Sequence, residues 1–93
     1  MSEEFTHDRA KRQFEVTLDG VPAGLAHYRL AGTVAVFDHT VVPPPLEGRG
    51  IAGRLVRFAM DEIRAEGQWR VRPVCSYVVG WFARNPADAD LLA

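Results

Sequence analysis

Gly48-Arg49-Gly50-Ile51-Ala52-Gly53 lies between Pro43-Pro44-Pro45 and a long amphipathic run. The prolines cannot donate to a strand ladder, so they end any extended segment that reaches them. The glycines then supply a tight turn from which a helix starts. Backbone N–H groups in the first turn of a helix lack intrahelical partners and stand at the positive end of its dipole. Without a Cβ, glycine allows an anion to come close. A strand, a proline stop, a glycine turn and a helix in this order suit the binding of a phosphate compound.

The rest of the chain sorts around that junction. Residues 1–11 are polar and are expected to form a mobile tail. From Arg12 the pattern alternates, with Phe14, Val16 and Leu18 on one side and Gln13, Glu15 and Thr17 on the other, as in a half-buried strand. Asp19-Gly20 reads as a turn. A second strand is expected over about 23–30, Ala31-Gly32 turns the chain again, and Thr33 to Val42 forms a third. The helix is expected over 50–65. There Ile51, Leu55, Ala59 and Ile63 recur every four residues, and Arg54, Arg57, Asp61 and Arg64 take the other side. Gly67 stops it. Residues 70–74 form a short strand, parallel to the third because a helix connects them. A last helix over 77–85 is capped by Ser76 and ended by Pro86. The order is β-β-β-α-β-α, an α+β fold in one domain spanning residues 12–93.

Composition narrows the partners. The 93 residues are 47% apolar and 25% charged, with 11 basic and 12 acidic side chains and a net charge of −1. That balance supplies no general basic face for nucleic acid. Tyr77 to Ala83 is too short to span a bilayer, and no apolar signal-peptide core precedes Gln13. A single cysteine, Cys75, cannot close an intramolecular disulfide, so a reducing cytoplasm is the expected location. The expected protein is a monomer or a weak dimer.

Gly48-x-Gly50-x-x-Gly53 matches the dinucleotide-binding fingerprint literally. That fingerprint requires a strand leading directly into the glycines of a doubly wound parallel sheet, which the prolines and the meander exclude. No Gly-Lys-Ser/Thr completes a P-loop. Glu47-Gly48-Arg49-Gly50-Ile51-Ala52 instead resembles the loop of the GNAT acetyltransferase superfamily, usually Gln/Arg-x-x-Gly-x-Gly/Ala, with Glu47 as the departure. Phe37-x-His39-Thr40-x-Val42, Leu46 to Ala52, Pro73-x-Cys75-Ser76-Tyr77-Val78 and Arg84-Asn85-Pro86 together resemble a small single-domain GNAT-like subfamily. Asn85 stands where that subfamily usually has His. The resemblance covers nearly the whole chain from Phe14.

The resemblance implies a GNAT-like fold and an acetyl-CoA-dependent N-acetyltransferase, with acetyl-CoA as cosubstrate. The thioester arm would run along Thr40, Val41 and Val42 as an added strand. The diphosphate would sit on Gly48, Arg49, Gly50, Ile51, Ala52 and Gly53, with charge added by Arg49 and Arg54. Arg84 and Asn85 would meet the adenosine end. The acceptor is an amine, on a protein lysine or a small molecule. The alternative function is a non-catalytic CoA-binding sensor or interaction module.

Catalytic candidates are Cys75 and His39. A helix N-terminus favours a thiolate, and a thiolate beside a thioester can take the acetyl group or assist proton transfer; a buried apolar cysteine is the alternative. His39 ends the third strand, where imidazole suits a general base; a strand-end histidine bonded to backbone is the alternative. Tyr77 can protonate a leaving thiolate or pack in the core. His7 is expected in the tail, and His27 as a structural residue within its strand. The sequence shows no metal-ligand spacing such as Cys-x-x-Cys or His-x-x-x-His, so no metal is expected.

Overall fold

A computed structural model of the protein describes residues 2–93. Met1, the first residue of the expected tail, lies outside the described residues. Four antiparallel strands follow one another: β1 (Glu3–Asp8), β2 (Gln13–Leu18), β3 (Val21–Ala31) and β4 (Val34–Val41). Helix α1 (Ile51–Glu66) then crosses to β5 (Arg70–Pro73), which pairs parallel to β4, and α2 (Ser76–Arg84) follows. The five-stranded sheet has the order β1-β2-β3-β4-β5. This is a single-domain α+β fold with an antiparallel meander followed by α-β-α, the class expected from the sequence.

One expectation is corrected. Residues expected in a mobile tail form β1, so the meander has four strands rather than three. The polar composition hid an edge strand that needs only one buried side. Phe5 stacks on Phe58 of α1 at 5.4 Å between ring centroids, and His7 stacks on Phe14 at 4.0 Å. Glu3 receives the Arg54 guanidinium. Alternate residues of β1 therefore face the helix layer, as strand geometry requires.

Both helices pack on one face of the sheet. Phe14, Val16, Tyr28, Ala35, Phe37 and Val71 meet Leu55, Val56, Ala59 and Met60 of α1 and Val78, Trp81 and Phe82 of α2 in a single core. The opposite face carries the outward residues of the meander, among them Gln13, Glu15, His27 and Arg29. Gly67 ends α1 in a left-handed conformation, its N–H donating to the Ile63 carbonyl. At α2 the cap position belongs to Cys75, not Ser76, and no side chain caps the helix. After α2, a 3-10 segment (Pro86–Leu91) brings Asp88 under Arg57 and Arg64. Among the described residues no helix is long and apolar enough to cross a membrane.

Candidate functional site

Beyond Phe37 and Pro73 the paired strands β4 and β5 part company. The Phe37 carbonyl accepts from both Val74 N–H (2.9 Å) and Cys75 N–H (3.0 Å), which closes the ladder. From there β5 turns into α2, while β4 continues to Val41 with a partner, among the described residues, only on its β3 side. One edge of β4 is thus left without a strand neighbour, the arrangement to which an extended chain can add. Pro43-Pro44-Pro45 then end β4, and Pro44–Leu46 make a 3-10 turn leading to the glycines.

The glycine turn opens α1 as expected. Gly48 and Gly50 have φ of 80° and 76°, values that only glycine adopts readily. Gly50 is the N-cap, no side chain caps the helix, and the first turn holds no acidic residue. The first helical bond runs from Arg54 N–H to the Gly50 carbonyl, so the N–H groups of Ile51, Ala52 and Gly53 precede the hydrogen-bonded ladder. These amides, the free edge of β4 and Tyr77 enclose a cleft of about 550 Å³, lined also by Val42, Leu46 and Glu47. Of the residues expected to hold a cofactor, Thr40, Val41, Val42, Gly48, Gly50, Ile51, Ala52 and Gly53 all line it.

The expected cationic residues are placed differently. Arg54 turns to Glu3, with Nε 2.8 Å from Oε1 and Nη2 2.5 Å from Oε2. That bidentate pair holds the Glu3 carboxyl below its ordinary range. Arg84 lies back along α2, its guanidinium carbon 5.6 Å from the Tyr77 ring centroid. Asn85 donates its side-chain N–H to the Trp81 carbonyl at 2.8 Å and so finishes α2. Arg49 is exposed on the turn itself. None of these four side chains lines the cleft wall.

Cys75 does not line the cleft but reaches it through Thr40. Its Sγ is 3.3 Å from Thr40 Oγ1, so the thiol and a cleft-lining hydroxyl share one hydrogen bond. Tyr77, in the first turn of α2, brings its hydroxyl against α1; a Cβ built on Gly53 would stand 3.4 Å from it.

His39 occupies the other side of β4. It pairs with His27 while Thr40 pairs with Ala26, so the His39 and Thr40 side chains leave the strand on opposite faces. The structure does not join His39 to Cys75. It joins His39 to Asp38 and His27, a grouping not legible from spacing. Asp38 Oδ1 lies 2.8 Å from His27 Nδ1 and 3.0 Å from His39 Nδ1. Burial pushes the Asp38 carboxyl up, but the two imidazole hydrogen bonds pull it down further, leaving it below the ordinary range. His39 is 70% exposed, His27 37%. Val41, at the free end of β4, borders both the cleft and a second groove of about 370 Å³ on this open face, lined by Gln13, Glu15 and Leu25 among others.

Comparison with known proteins agrees with this architecture. The model of the GCN5-related N-acetyl-transferase family matches residues 13–91. The protein NATD1 of Xenopus tropicalis is 37% identical over 82 residues, covering 86% of this chain and 74% of its own length. Human NATD1 is 34% identical over the same length, with 72% of it covered. Among solved structures, a GCN5-like protein from Staphylococcus aureus superposes with a TM-score of 0.74 at 18% identity, over 97% of this chain and 87% of that one. The ribosomal-protein-S18-alanine N-acetyltransferase of Escherichia coli gives 0.65 at 16% identity, over 90% of this chain and 53% of that one.

Proposed function

Because this chain belongs to the GCN5-related N-acetyl-transferase family, we propose that it binds acetyl-CoA in the cleft between β4 and α1 and passes the acetyl group to an amine. One observation carries the reading. An uncapped, acid-free helix start and an unpaired strand edge face the same cleft. The first suits a diphosphate, the second an extended amide-bearing arm.

Acetyl-CoA supplies an activated thioester and an arm with its own amide groups. The amides of Ile51, Ala52 and Gly53 hold the diphosphate, and Arg49 swings in from the turn. The dipole contributes about 0.3–1 kcal/mol, so direct N–H bonds and the arginine do most of the holding. Thr40, Val41 and Val42 offer backbone groups to the arm. At its end Tyr77, on the cleft wall, and Cys75, hydrogen-bonded to Thr40, flank the thioester, and the tyrosine hydroxyl protonates a departing thiolate. Arg54 contributes charge only after releasing Glu3.

The acceptor amine comes from the open face, past Val41. His39 is the base on that side. Its Nδ1 is held by Asp38 and its Nε2 remains to take the proton, an orientation device like that of other hydrogen-bonded imidazole bases. No helix of the described residues walls off this face, so it admits a bulky acceptor such as a lysine on a protein surface, as well as small amines.

The test is transfer of labelled acetyl from acetyl-CoA to a panel of polyamines and lysine peptides, with wild type beside Cys75→Ala, and intact-mass measurement of the protein. Transfer that falls with the alanine variant supports the reading. Acetylated Cys75 would make the thiol a covalent carrier. Binding of acetyl-CoA without transfer by either form would assign the chain to a non-catalytic CoA-binding module instead.

A further inference from the structure

We propose that His27, Asp38 and His39 form a binding site for a borderline divalent metal ion, of the Zn²⁺, Co²⁺ or Ni²⁺ class, on the sheet face that the helices leave open. The inference does not depend on acetyl-CoA binding.

The site is built by an irregularity. A regular strand sends consecutive side chains to opposite faces. Between Tyr28↔Phe37 and His27↔His39 the register slips by one residue, which leaves Asp38 as the extra residue of a bulge. Asp38 consequently reaches His27 of β3, and His39, adjacent in sequence, closes on the same Asp38 carboxylate with its ring 6.0 Å from that of His27. Bulges re-aim side chains in this way beside functional sites. One ligand atom from each residue lies within 4.8 Å of the others.

The distances come close to those of coordination. Two donor atoms each about 2.1 Å from one ion are about 3.4 Å apart at the tetrahedral angle that Zn²⁺ favours. The observed separations, 2.8 Å and 3.0 Å from Asp38 Oδ1 to the two Nδ1 atoms, are those of hydrogen bonds and widen by about half an ångström to admit an ion. Bringing the two nitrogens onto one ion asks only for rotation of rings that are partly or largely exposed. Neutral imidazole supplies its lone pair once the proton moves to Nε2, so an ion displaces two hydrogen bonds without requiring an imidazole to lose a proton altogether, and a metal-bound His39 has no lone pair left to act as a base.

The donor set selects the ion. Two imidazoles and one carboxylate favour borderline metals over Mg²⁺ and Ca²⁺, which prefer oxygen. Among the described residues no lysine or arginine pairs with Asp38. Three protein ligands leave positions on the ion open toward the helix-free face.

Co²⁺ is the probe, titrated into chelator-treated protein of residues 1–93 and followed by its visible d–d absorption. One equivalent is expected to saturate the signal. His27→Ala and His39→Ala should each weaken binding about tenfold or more, while His7→Ala should bind as wild type does. A second measurement needs no variant: diamagnetic Zn²⁺ should shift the ring resonances of His27 and His39 and leave those of His7 in place. Absence of saturable Co²⁺ binding, full binding by His27→Ala, or Zn²⁺ shifts confined to His7 would overturn the proposal. Loss of acetyl-CoA binding would leave it standing.

Discussion

Thr40 Oγ1 and Cys75 Sγ lie 3.3 Å apart although 35 residues separate them in the chain. The contact spans the gap where β4 and β5 diverge, and it ties the strand edge to the start of α2. If this pair works at the acetyl thioester, Cys75→Ala should slow transfer by about 10²-fold or more while acetyl-CoA binding changes little. Thr40→Val keeps the shape but removes the hydroxyl, and should slow transfer by a smaller factor. Steady-state kinetics beside calorimetric binding separates the two effects; full activity in the Cys75→Ala variant would reduce the cysteine to packing.

Ala52→Glu should act in opposite directions on folding and binding. Ala52 is in the first turn of α1, where a carboxylate complements the helix dipole by about 0.3–1 kcal/mol. The same carboxylate would stand in the cleft where a diphosphate is proposed to sit. The expected result is an unchanged or slightly raised melting temperature with loss of measurable acetyl-CoA binding. Unaltered affinity would move the diphosphate away from this helix.

Asp88 is covered by two arginine side chains, with Arg57 Nη2 at 2.8 Å and Arg64 Nη2 at 3.1 Å. Both arginines are more than two-fifths exposed, which limits the effect of each pair. Asp88→Ala is expected to cost about 1–2 kcal/mol, lowering the melting temperature by several degrees. The Arg57 hydrogen bond, ahead of the weaker opposing effect of burial, holds the carboxyl below its ordinary range. Its contribution is therefore complete above about pH 5, begins to fade through the unfolded value of about 3.9, and is lost as the pH falls through the depressed folded value. Acid unfolding of the alanine variant should show a shallower dependence there; an identical acid limb would contradict the assignment.

His7 gives a second pH effect nearer neutrality. Its Nε2 is 2.7 Å from the Tyr28 hydroxyl, and its ring lies flat on Phe14. Burial, assisted by Arg9, pushes its pKa down. The folded state therefore disfavours protonated His7. Stability from this residue is present above the unfolded value, about 6.5, and is lost as the pH falls below it toward the folded value. Hydrogen exchange of β1 amides, corrected for intrinsic rates, should report weaker protection at pH 5 than at pH 7.5, both values chosen roughly to bracket that midpoint. His7→Phe should remove the difference, and a difference that survives in it would place the effect elsewhere.

The fold is legible where periodicity meets punctuation. Leu55, Ala59 and Ile63 mark α1, Asp19-Gly20 and Ala31-Gly32 mark the hairpins, and the glycine turn marks the helix start. β1 escapes a local reading because Glu3, Glu4 and Asp8 suggest solvent, whereas its stability comes from Phe5 and His7 packing across long sequence distances. Arg54 looks free in the sequence because its partner, Glu3, belongs to that same strand. The histidine cluster comes half within reach. Continuing the register of Ala31↔Val34 and Tyr28↔Phe37 would set His27 opposite Asp38. The bulge that adds His39 to the pair is a tertiary detail that no local pattern announces.

Assigned amide proton–nitrogen correlation spectra of the wild-type protein during acetyl-CoA addition test the central claim most directly. Saturable shifts should concentrate at Arg49 to Arg54 and along Thr40 to Val42, with downfield movement of the Ile51, Ala52 and Gly53 amides as they bond to phosphate. Silence at those amides, with shifts gathered elsewhere or no shifts at all, would contradict it.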